Sequence, residues 1–316
     1  MKRFVTTVFL TCCASILVFA QVVVTVGSSI SMAAQKPPII IDTTVMQVVY
    51  KVYSVADSLA PDKVATDDMV LQIGKNRISK FYNDTRRAQD SLIRATMEKQ
   101  RAAAEGTGGS ISLQNVNFQA GAGGSGEQSI VFKNRPSGKI TITDKVVIDN
   151  YSFTESSNQI KWEILPDTDT ILSYAVQKAV TTFRGRSYEA WFTPDIPVNE
   201  GPWKFCGLPG LILKVSDSRQ HYVFECVGLE QVRTPIEFAD SDYVKTNRKD
   251  LARIKRKFYE DPMAAMERMR PAAPAGANVK TVRMAIGPDG MPVQVDENEM
   301  RSRLRNRAYN PIELDL

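Results

Sequence analysis

A succession of short apolar runs, separated by turn residues such as Asp149-Asn150 and Pro166-Asp167, dominates the chain from Ser129 onward. The runs are rich in Ile, Val, Thr, Tyr and Phe, and they are Ile130–Phe132, Ile140–Ile148, Ile160–Leu165, Ile171–Phe183, Tyr188–Phe192, Leu211–Val215 and Tyr222–Val227. Evenly spaced strands joined by short turns are typical of an antiparallel sheet in which sequential strands are neighbours. No alternation of strands with helices is visible, which argues against a parallel doubly wound sheet.

Two earlier segments extend the same pattern towards the N-terminus. Ile39–Tyr53 alternates between two sets of side chains and predicts a strand that is buried mostly on one face. Met69–Gly74 and Ile78–Tyr82 predict a hairpin around residues 74–76. The sequence therefore predicts a mainly β fold of the α+β class, in the form of a curved antiparallel sheet or half-barrel.

Two amphipathic segments predict helices outside this sheet. Asp84 is a suitable cap for a surface helix near 85–104, in which the apolar residues form a narrow stripe. A segment near 245–270 is rich in Lys and Arg and carries apolar residues, among them Leu251, at helical spacing. We expect Pro262 to kink or restart this basic amphipathic helix.

The first residues of the chain have the pattern of a secretory signal. A short basic start precedes an apolar run that continues to about Val26, and small residues follow up to Ala34. This pattern predicts an exported protein from which residues 1–34 are removed as a signal peptide, with cleavage after Ala20 as the other possible site. An uncleaved membrane anchor and a lipoprotein attached through Cys12 or Cys13 are the alternatives.

After the signal we expect one domain followed by an extension. Residues 39–260 would form a single β-rich domain that is interrupted by a Gly-rich stretch at 106–126. This stretch cannot offset its ordering entropy and lacks the Gly-Lys-Ser/Thr pattern of a phosphate-binding loop, so it predicts a flexible insertion. The C-terminal extension, 261–316, ends in a polar tail that we expect to wrap the surface or to be mobile.

Cys206 and Cys226 are the only cysteines outside the predicted signal. In an exported domain, two thiols are candidates for one disulfide. Such a disulfide would close a loop of about twenty residues and would contribute roughly 3 kcal/mol to stability. Two unpaired buried thiols are the alternative.

The densest local signal lies between Phe183 and Val215. Three features stand out there and at the C-terminus: Gly207-Leu208-Pro209-Gly210-Leu211-Ile212, the upstream Ala190-Trp191-Phe192-Thr193 and Gly201-Pro202, and the ending Tyr309-Asn310-Pro311-Ile312-Glu313-Leu314. In these features the chain resembles the GLPGLI family of exported bacterial envelope proteins. The resemblance spans roughly 41–314. Because this family has no established activity, the resemblance implies an exported location and a β-rich fold rather than a reaction.

The glycines and prolines of this motif predict a rigid loop. Pro202 and Pro209 fix backbone angles, whereas Gly201, Gly207 and Gly210 permit left-handed or crowded backbone. The loop would deliver the following Leu-Ile-Leu run into a strand that pairs with the run at 222–227.

Aromatic and basic residues around this loop are the candidate ligand-binding residues. One interpretation is an apolar groove that is rimmed by arginine side chains. The alternative is a core corner that fixes the curvature of the sheet. The residues concerned are Arg184, Arg186, Trp191, Phe192, Trp203 and Phe205.

The sequence offers no recognisable catalytic or metal site, and it predicts no cofactor. His221 is the only histidine, and no Gly-x-Ser-x-Gly elbow supplies a nucleophile. Zinc requires more His or Cys ligands than this chain carries. Met263, Met266 and Met269 could bind Cu(I), but their spacing also suits the apolar stripe of a helix.

These observations predict an exported cell-envelope protein, located in the periplasm or associated with the outer membrane. We expect a non-catalytic binding or accessory module for a hydrophobic ligand, a peptide or an envelope partner such as an outer-membrane protein. A hydrolase that uses carboxylates without a metal, and an interaction protein that acts through the basic helix, are the alternatives. Export argues against a nucleic-acid partner, and the modest net charge of +5 does not require one. The oligomeric state is left open.

Overall fold

Most of the described chain is β-strand. The computed structural model describes residues 37–85, 128–146, 149–261 and 308–315, residues 87, 88, 91 and 95, and three short strands near the chain ends. These three strands form a small antiparallel sheet and are β1 (Phe19–Gln21), β15 (Met284–Ile286) and β16 (Pro292–Gln294). Apart from β1, the predicted signal peptide lies outside the described residues, so export stays a prediction.

A 13-stranded sheet forms the body of the molecule. Its first meander consists of β2 (Ile39–Val55), β3 (Val64–Gly74), β4 (Ser79–Asn83), β5 (Ile130–Lys133), β6 (Lys139–Val146) and β7 (Asp149–Ser156). Its second meander consists of β8 (Glu163–Ile171), β9 (Tyr174–Phe183), β10 (Arg186–Thr193), β11 (Leu211–Asp217) and β12 (Tyr222–Glu230). The two meanders meet where β12 pairs with β2.

Two short strands complete this sheet. β13 (Pro235–Phe238) pairs antiparallel with the first residues of β2, and β14 (Val244–Lys245) pairs parallel with β7. The sheet is therefore mixed, although its parallel pair involves only the two-residue strand β14. All other pairs are antiparallel between neighbours, which confirms the predicted mainly β architecture.

Alternation in β2 shows why the sheet has one buried face. Val48, Tyr50 and Val52 are almost fully buried, whereas Lys51 and Tyr53, which alternate with them, are partly exposed. Because side chains of a strand point alternately to its two faces, one face of β2 packs into the interior and the other faces solvent. Removal of this apolar surface from water is the main driving force for the fold.

The sheet is curved because its two ends are tied together. Residues 157–162 connect β7, which is next to the short end strand β14, to β8 at the opposite end of the strand order. In a flat sheet, the eleven strands from β7 to β8 would place these two strands about 50 Å apart. A connection of this length spans at most about 24 Å. The sheet must therefore curl around an interior, as predicted, although its hydrogen-bond ladder does not close.

Two turns differ from the sequence-based prediction. The sequence predicts turns at residues 149–150 and 166–167, but these residues lie within β7 and β8. The turn between β8 and β9 is formed by Leu172 and Ser173, which have φ of 49° and 69°. Two successive residues with positive φ make the tight hairpin turn that suits twisted strands. Leu and Ser rarely adopt this backbone, so the sequence carries no signal for it.

Helix α1 (Arg248–Glu260) is the described part of the predicted basic helix. Asn247 caps it by accepting a hydrogen bond from the Asp250 amide, and Leu251 is buried against the sheet. The helix ends just before Pro262, as expected for a residue that precedes proline. Residues 262–283 lie outside the described residues.

The predicted surface helix near 85–104 is described only in part. Residues 84, 85, 87, 88, 91 and 95 are helical. Its other residues and the Gly-rich insertion at 106–126 lie outside the described residues, so the predicted flexibility of that insertion is untested. Among the helical residues that the structure describes, none belongs to a helix long and apolar enough to cross a membrane.

Candidate functional site

The loop between β10 and β11 fills the interior of the curved sheet. We call residues 194–210 the plug loop. The Phe205 ring is fully buried, and its centroid lies 4.8 Å from that of Tyr188, 5.2 Å from that of Trp203 and 6.0 Å from that of Phe224. These edge-on ring contacts join the plug loop to β10 and β12 and make it part of the core.

A buried lysine on β5 holds the plug loop in place. The Lys133 ammonium donates to the carbonyl oxygens of Gly201 at 2.6 Å and Phe205 at 3.2 Å, and it lies 2.6 Å from a carboxylate oxygen of Glu200. Ser79 donates to the same carboxylate at 3.0 Å. Because the charge of Lys133 is paired and its donors are used, it can be buried without an uncompensated desolvation penalty.

Glycines in the hexapeptide motif and just before it occupy positions where a side chain would not fit or would strain the backbone. A Cβ on Gly210 would lie 2.1 Å from the Thr193 carbonyl oxygen, and a Cβ on Gly201 would lie 2.9 Å from side-chain atoms of Ile212. Gly207 has φ of +105°, a conformation that favours glycine. Pro202, Leu208, Leu211 and Ile212 are buried, whereas Pro209 is exposed. The motif thus forms a corner of the core.

The last described residues lie as an extended segment beside the plug loop. We call residues 308–315 the C-terminal segment. Its first residues lie alongside the residues that follow β2. The Ser58 amide donates to the Ala308 carbonyl at 3.0 Å, and the Asn310 amide donates to the Ala56 carbonyl at 3.0 Å. This arrangement corrects the expectation that the polar tail wraps the surface or is mobile, because its final described part enters the interior.

A buried arginine at the start of β10 binds this segment. The Arg186 guanidinium, in a residue only 4% exposed, lies 2.9 Å from an Asp217 carboxylate oxygen. Its remaining N–H groups donate to the Asn310 side-chain oxygen at 2.6 Å, the Pro311 carbonyl at 2.6 Å and the Ile312 carbonyl at 3.1 Å. One side chain therefore contacts three successive residues of the segment and uses the fork of donors that only arginine provides.

Two tyrosines add further contacts to the backbone of the segment. The Tyr222 hydroxyl donates to the Asn310 carbonyl at 2.7 Å, and the Tyr188 hydroxyl donates to the Ile312 carbonyl at 3.1 Å. Burial raises the pKa of Tyr188, so this hydroxyl stays protonated as a donor. The Asn310 amide group donates to the Val55 carbonyl at 2.6 Å and lies 3.1 Å from His221 Nδ1.

A cluster of alternating charges surrounds the end of the segment. It consists of three cations and three carboxylates, and we call it the charge cluster: Arg184, Lys204, Arg248, Glu155, Glu313 and Asp315. The Lys204 ammonium lies 2.7 Å from Glu155 and 2.6 Å from Glu313, in a residue that is 4% exposed. Arg248, on α1, lies 2.6 Å from Asp315. The charges of the cluster balance only when the C-terminal segment is present.

The protonation of Arg248 reflects this pairing. Partial burial lowers its pKa, but the hydrogen bond to Asp315 and the charges of Glu313 and Asp315 outweigh burial, so the pKa is raised overall. The guanidinium is therefore a permanent charge in the cluster.

Cys206 and Cys226, the two cysteines among the described residues, are free thiols in this structure. The Cys206 thiol lies 3.9 Å from the Ser157 carbonyl, and the Cys226 thiol lies 3.6 Å from the Gly228 carbonyl. Burial raises the pKa of Cys206, and it raises that of Cys226 to about 11. Since the thiolate is the nucleophile, neither sulfur is activated at neutral pH. The predicted disulfide is not formed in this structure.

An open cleft of about 600 Å³ lies on the second meander. Its lining mixes polar and apolar atoms and is formed by Lys161, Glu163, Val180, Thr181, Thr182, Ser187, Tyr188, Glu189, Ser216, Asp217, Ser218 and Gln220. A smaller cavity of about 60 Å³ lies under α1, between Trp203, Lys204 and the C-terminal segment, and its lining is mainly apolar.

The six predicted ligand-binding residues do not line one surface. Arg186, Phe192, Trp203 and Phe205 are buried in the interior, and Arg184 lies in the charge cluster. Trp191 packs apart from them, 5.5 Å below the Lys178 ammonium, and its indole N–H donates to Glu189 at 3.0 Å.

Sequence reasoning misses most of the residues that surround Arg184 and Arg186. Lys204, Asp217, Tyr222 and Glu155 appear in the sequence as ordinary strand or turn residues. The ending around Asn310 stands out only as part of a family pattern, without a structural role. Its proximity to β10 depends on long-range topology, which local patterns do not contain.

Metal chemistry has no support in the part of the chain that the structure describes. No group of three or more His, Cys, Asp and Glu residues there is placed to hold a metal ion. The three methionines at 263, 266 and 269 lie outside the described residues, so the copper alternative is untested.

Comparison with known proteins gives one short family match. A family model described as a protein of unknown function (Porph_ging) matches residues 184–214. The matched stretch contains Arg184, Arg186, Lys204 and the whole plug loop. No curated protein matches the chain.

Solved structures of PNGF-II in space groups P21 and C2 are similar to the chain at 13% and 14% identity, each with a TM-score of 0.44. Both alignments cover 68% of this chain, and they cover 34% and 33% of those chains. The chain thus spans about a third of the length of these proteins, and a likeness this distant carries no argument.

Proposed function

We propose that this chain is an exported cell-envelope protein of the GLPGLI type that acts by binding an extended peptide segment and not by catalysis. The secretory pattern of residues 1–34 supports export, and the hexapeptide at 207–212, inside the matched stretch, supports the family assignment. The proposed location is the periplasm or the periplasmic face of the outer membrane.

The observation that carries this proposal is the capture of the C-terminal segment by side chains of the sheet. Arg186, Tyr188 and Tyr222 all donate to carbonyl oxygens of that segment. Donation to main-chain carbonyls along an extended segment is how grooves recognise peptides with limited dependence on their side chains. These contacts support a peptide ligand over an apolar small molecule.

The environment of the reactive side chains favours binding over hydrolysis. Both cysteine thiols have raised pKa values, and His221 lies in a turn beside the Asn310 amide group. The carboxylates of Glu155 and Glu313 accept from cations at 3 Å or less. Groups that are saturated in this way stabilise a bound segment and are not poised to attack a substrate.

The basic helix supports a second candidate function, which is interaction with an anionic partner. Lys249, Arg253, Arg256 and Lys257 lie on α1 outside its buried contact at Leu251. Lys249, Arg256 and Lys257 make no ion pair with any residue that the structure describes. Reversal of these three charges would abolish partner capture under this candidate and would leave it intact if the peptide site is responsible.

Localisation and ligand content test the main proposal. In envelope fractions of the native host, N-terminal sequencing should find a chain that begins after residue 34, and a cytosolic chain with these residues intact would contradict export. Native mass spectrometry of the purified chain should then detect a bound peptide.

A matched pair of variants locates that peptide. Tyr222→Phe removes one hydroxyl that faces the site and should lower peptide occupancy, whereas Tyr53→Phe, on the outer face of β2, should not. Bare protein in all preparations, or turnover of a peptide substrate, would contradict the binding proposal.

A further inference from the structure

We infer that the C-terminal segment is an exchangeable ligand, and that a second copy of the chain can supply it in place of the chain's own. The site would then be specific for an acidic, extended peptide segment that enters beside Arg186 and ends in the charge cluster. This inference rests on the proposed function, because it names the ligand class and the partner of the same site.

The sheet is complete without the segment. The strand order runs without interruption from β14 to β8. The segment joins it through one isolated bridge, between Asp57 and Tyr309, and through a hydrogen bond from the Leu314 amide to the Arg184 carbonyl at 2.8 Å. Departure of the segment would break these backbone contacts and the side-chain contacts, but no pair of strands. The site can therefore persist while its occupant changes.

Charge balance selects an acidic occupant. The segment contributes Glu313 and Asp315, two of the three carboxylates of the charge cluster. Without them, Arg184, Lys204 and Arg248 face the single carboxylate of Glu155, an excess of two positive charges. Without Glu313, the Lys204 ammonium would share Glu155 with Arg184, and a neutral peptide that covered these cations would bury charge without neutralising it. A neutral peptide is therefore disfavoured.

Arg186 adds selectivity for the backbone. Its own charge is neutralised by Asp217, which belongs to the sheet and stays when the segment leaves. Its other donors need an Asn-type side-chain oxygen followed by two carbonyls in extended geometry. Pro311 suits this geometry, because proline favours extended backbone in the residue before it and has no N–H to satisfy.

A second copy is the natural source of such a segment. Every copy carries the site and the matching segment, so exchange replaces each contact by an identical one. Residues 261–307, which include β15 and β16, join the end of α1 to the segment. The connection sets the effective concentration of the chain's own segment at its site. Exchange becomes favourable as the concentration of other copies approaches that value.

A charge-reversal pair in full-length chains tests the exchange. Lys204→Glu places a new carboxylate beside that of Glu313, and Glu313→Lys places a new ammonium beside that of Lys204. In a dimer of one chain of each kind with exchanged segments, one site regains its Lys–Glu pair and the other pairs the new Glu with the new Lys. Native mass spectrometry of a mixture, with one chain labelled with ¹⁵N, should therefore show mainly the mixed dimer.

The control is the double variant Lys204→Glu/Glu313→Lys, which restores the pair within one chain and should stay monomeric at the same concentration. The inference would be overturned if the two single variants, shown to be folded by circular dichroism, stayed as separate monomers when mixed.

A second measurement applies if either single variant does not fold. A protease site is inserted into the wild-type chain at 271–276, the folded protein is cleaved, and a labelled synthetic peptide of residues 308–316 is added. Displacement of the resident fragment is expected, and a peptide with Glu313→Gln and Asp315→Asn should bind at least about tenfold more weakly. No uptake of the acidic peptide would refute the exchange, whereas the localisation and native-ligand results would still decide the proposed function separately.

Discussion

Gly210 leaves no room for a side chain. The Thr193 carbonyl oxygen would lie 2.1 Å from an added Cβ, and this neighbour is backbone that cannot rotate away. We expect Gly210→Ala to lower the free energy of unfolding by about 3 kcal/mol, because the plug loop must shift to remove the overlap. Chemical denaturation measures this change.

Gly228→Ala is the matched control, because an added Cβ there meets no atom within 4 Å. Its effect should stay within about 0.5 kcal/mol. Equal losses of stability in the two variants would contradict the steric role of Gly210.

Lys80 gives the fold a pH dependence above neutrality. Its ammonium donates to the Glu237 carbonyl at 2.9 Å, and burial lowers its pKa from the ordinary 10.5 to about 8. Because the pKa is lower in the folded chain, the unfolded chain binds more protons between about pH 8 and 10.5. The free energy of unfolding contributed by Lys80 therefore rises with pH across this window.

The measurement compares Lys80→Met with the wild-type chain between about pH 7 and 10.5. The variant should have the larger free energy of unfolding near pH 7, and this difference should shrink as pH rises, because the deprotonated Lys80 of the wild-type chain no longer buries a charge. Lys75→Met, at an exposed turn position, should run parallel to the wild type. A constant difference between Lys80→Met and wild type would contradict the lowered pKa.

Single residues also show how far the site could be predicted. Arg184 and Arg186 are identified from their place beside the motif, and the glycine and proline roles of the loop follow from backbone chemistry. Asp217 and Glu155 could not be identified, because their partners lie on other strands or in the C-terminal segment. Burial and pairing of charges depend on which strands become neighbours, and no local pattern specifies that.

At the scale of elements, β8 is an exposed edge strand. Among the described strands it pairs only with β9, and most of its residues are exposed. Pro166, Asp167 and Asp169 lie along it, and proline and charge are the features that discourage an edge from pairing with another molecule. These residues therefore protect the chain from edge-to-edge association.

We expect replacement of Pro166, Asp167 and Asp169 by Thr to cause association that increases with concentration, because threonine favours strand pairing and carries no charge. Analytical ultracentrifugation measures the effect. The control replaces Pro61 and Asp62 by Thr in the exposed turn before β3 and should stay monodisperse. Unchanged sedimentation of the β8 variant would contradict a protective role.

Elements with apolar alternation are predictable, and polar ones are not. β2, the β3–β4 hairpin and the β11–β12 pair follow from runs of Val, Ile, Leu and aromatic residues. β7 escapes prediction, since Asp149–Ser156 is largely polar and begins with two residues that are common in turns. Its strand conformation depends on pairing with β6, so neighbouring structure outweighs local propensity.

At the scale of the whole molecule, the two meanders share one interior. Leu71 on β3 and Leu213 on β11 are both fully buried in the same apolar cluster. We expect a single cooperative unfolding transition, and Leu71→Ala and Leu213→Ala should each lower its free energy by about 2–5 kcal/mol.

Differential scanning calorimetry tests this prediction and the single-domain organisation expected for 39–260. Both variants should shift the same peak. Two separate peaks, each sensitive to only one variant, would show that the meanders unfold independently.

The short connection between β7 and β8 limits how far apart these two strands can lie. Its length sets how tightly the strands can be drawn round, and Trp162 at its end donates to the Cys206 carbonyl of the plug loop at 2.9 Å. Extra residues inserted at 157–162 would thus do more than lengthen a surface turn. They would let β7 and β8 move apart and would widen the curved sheet. The volume that the sheet can enclose therefore depends on the length of the connection at 157–162.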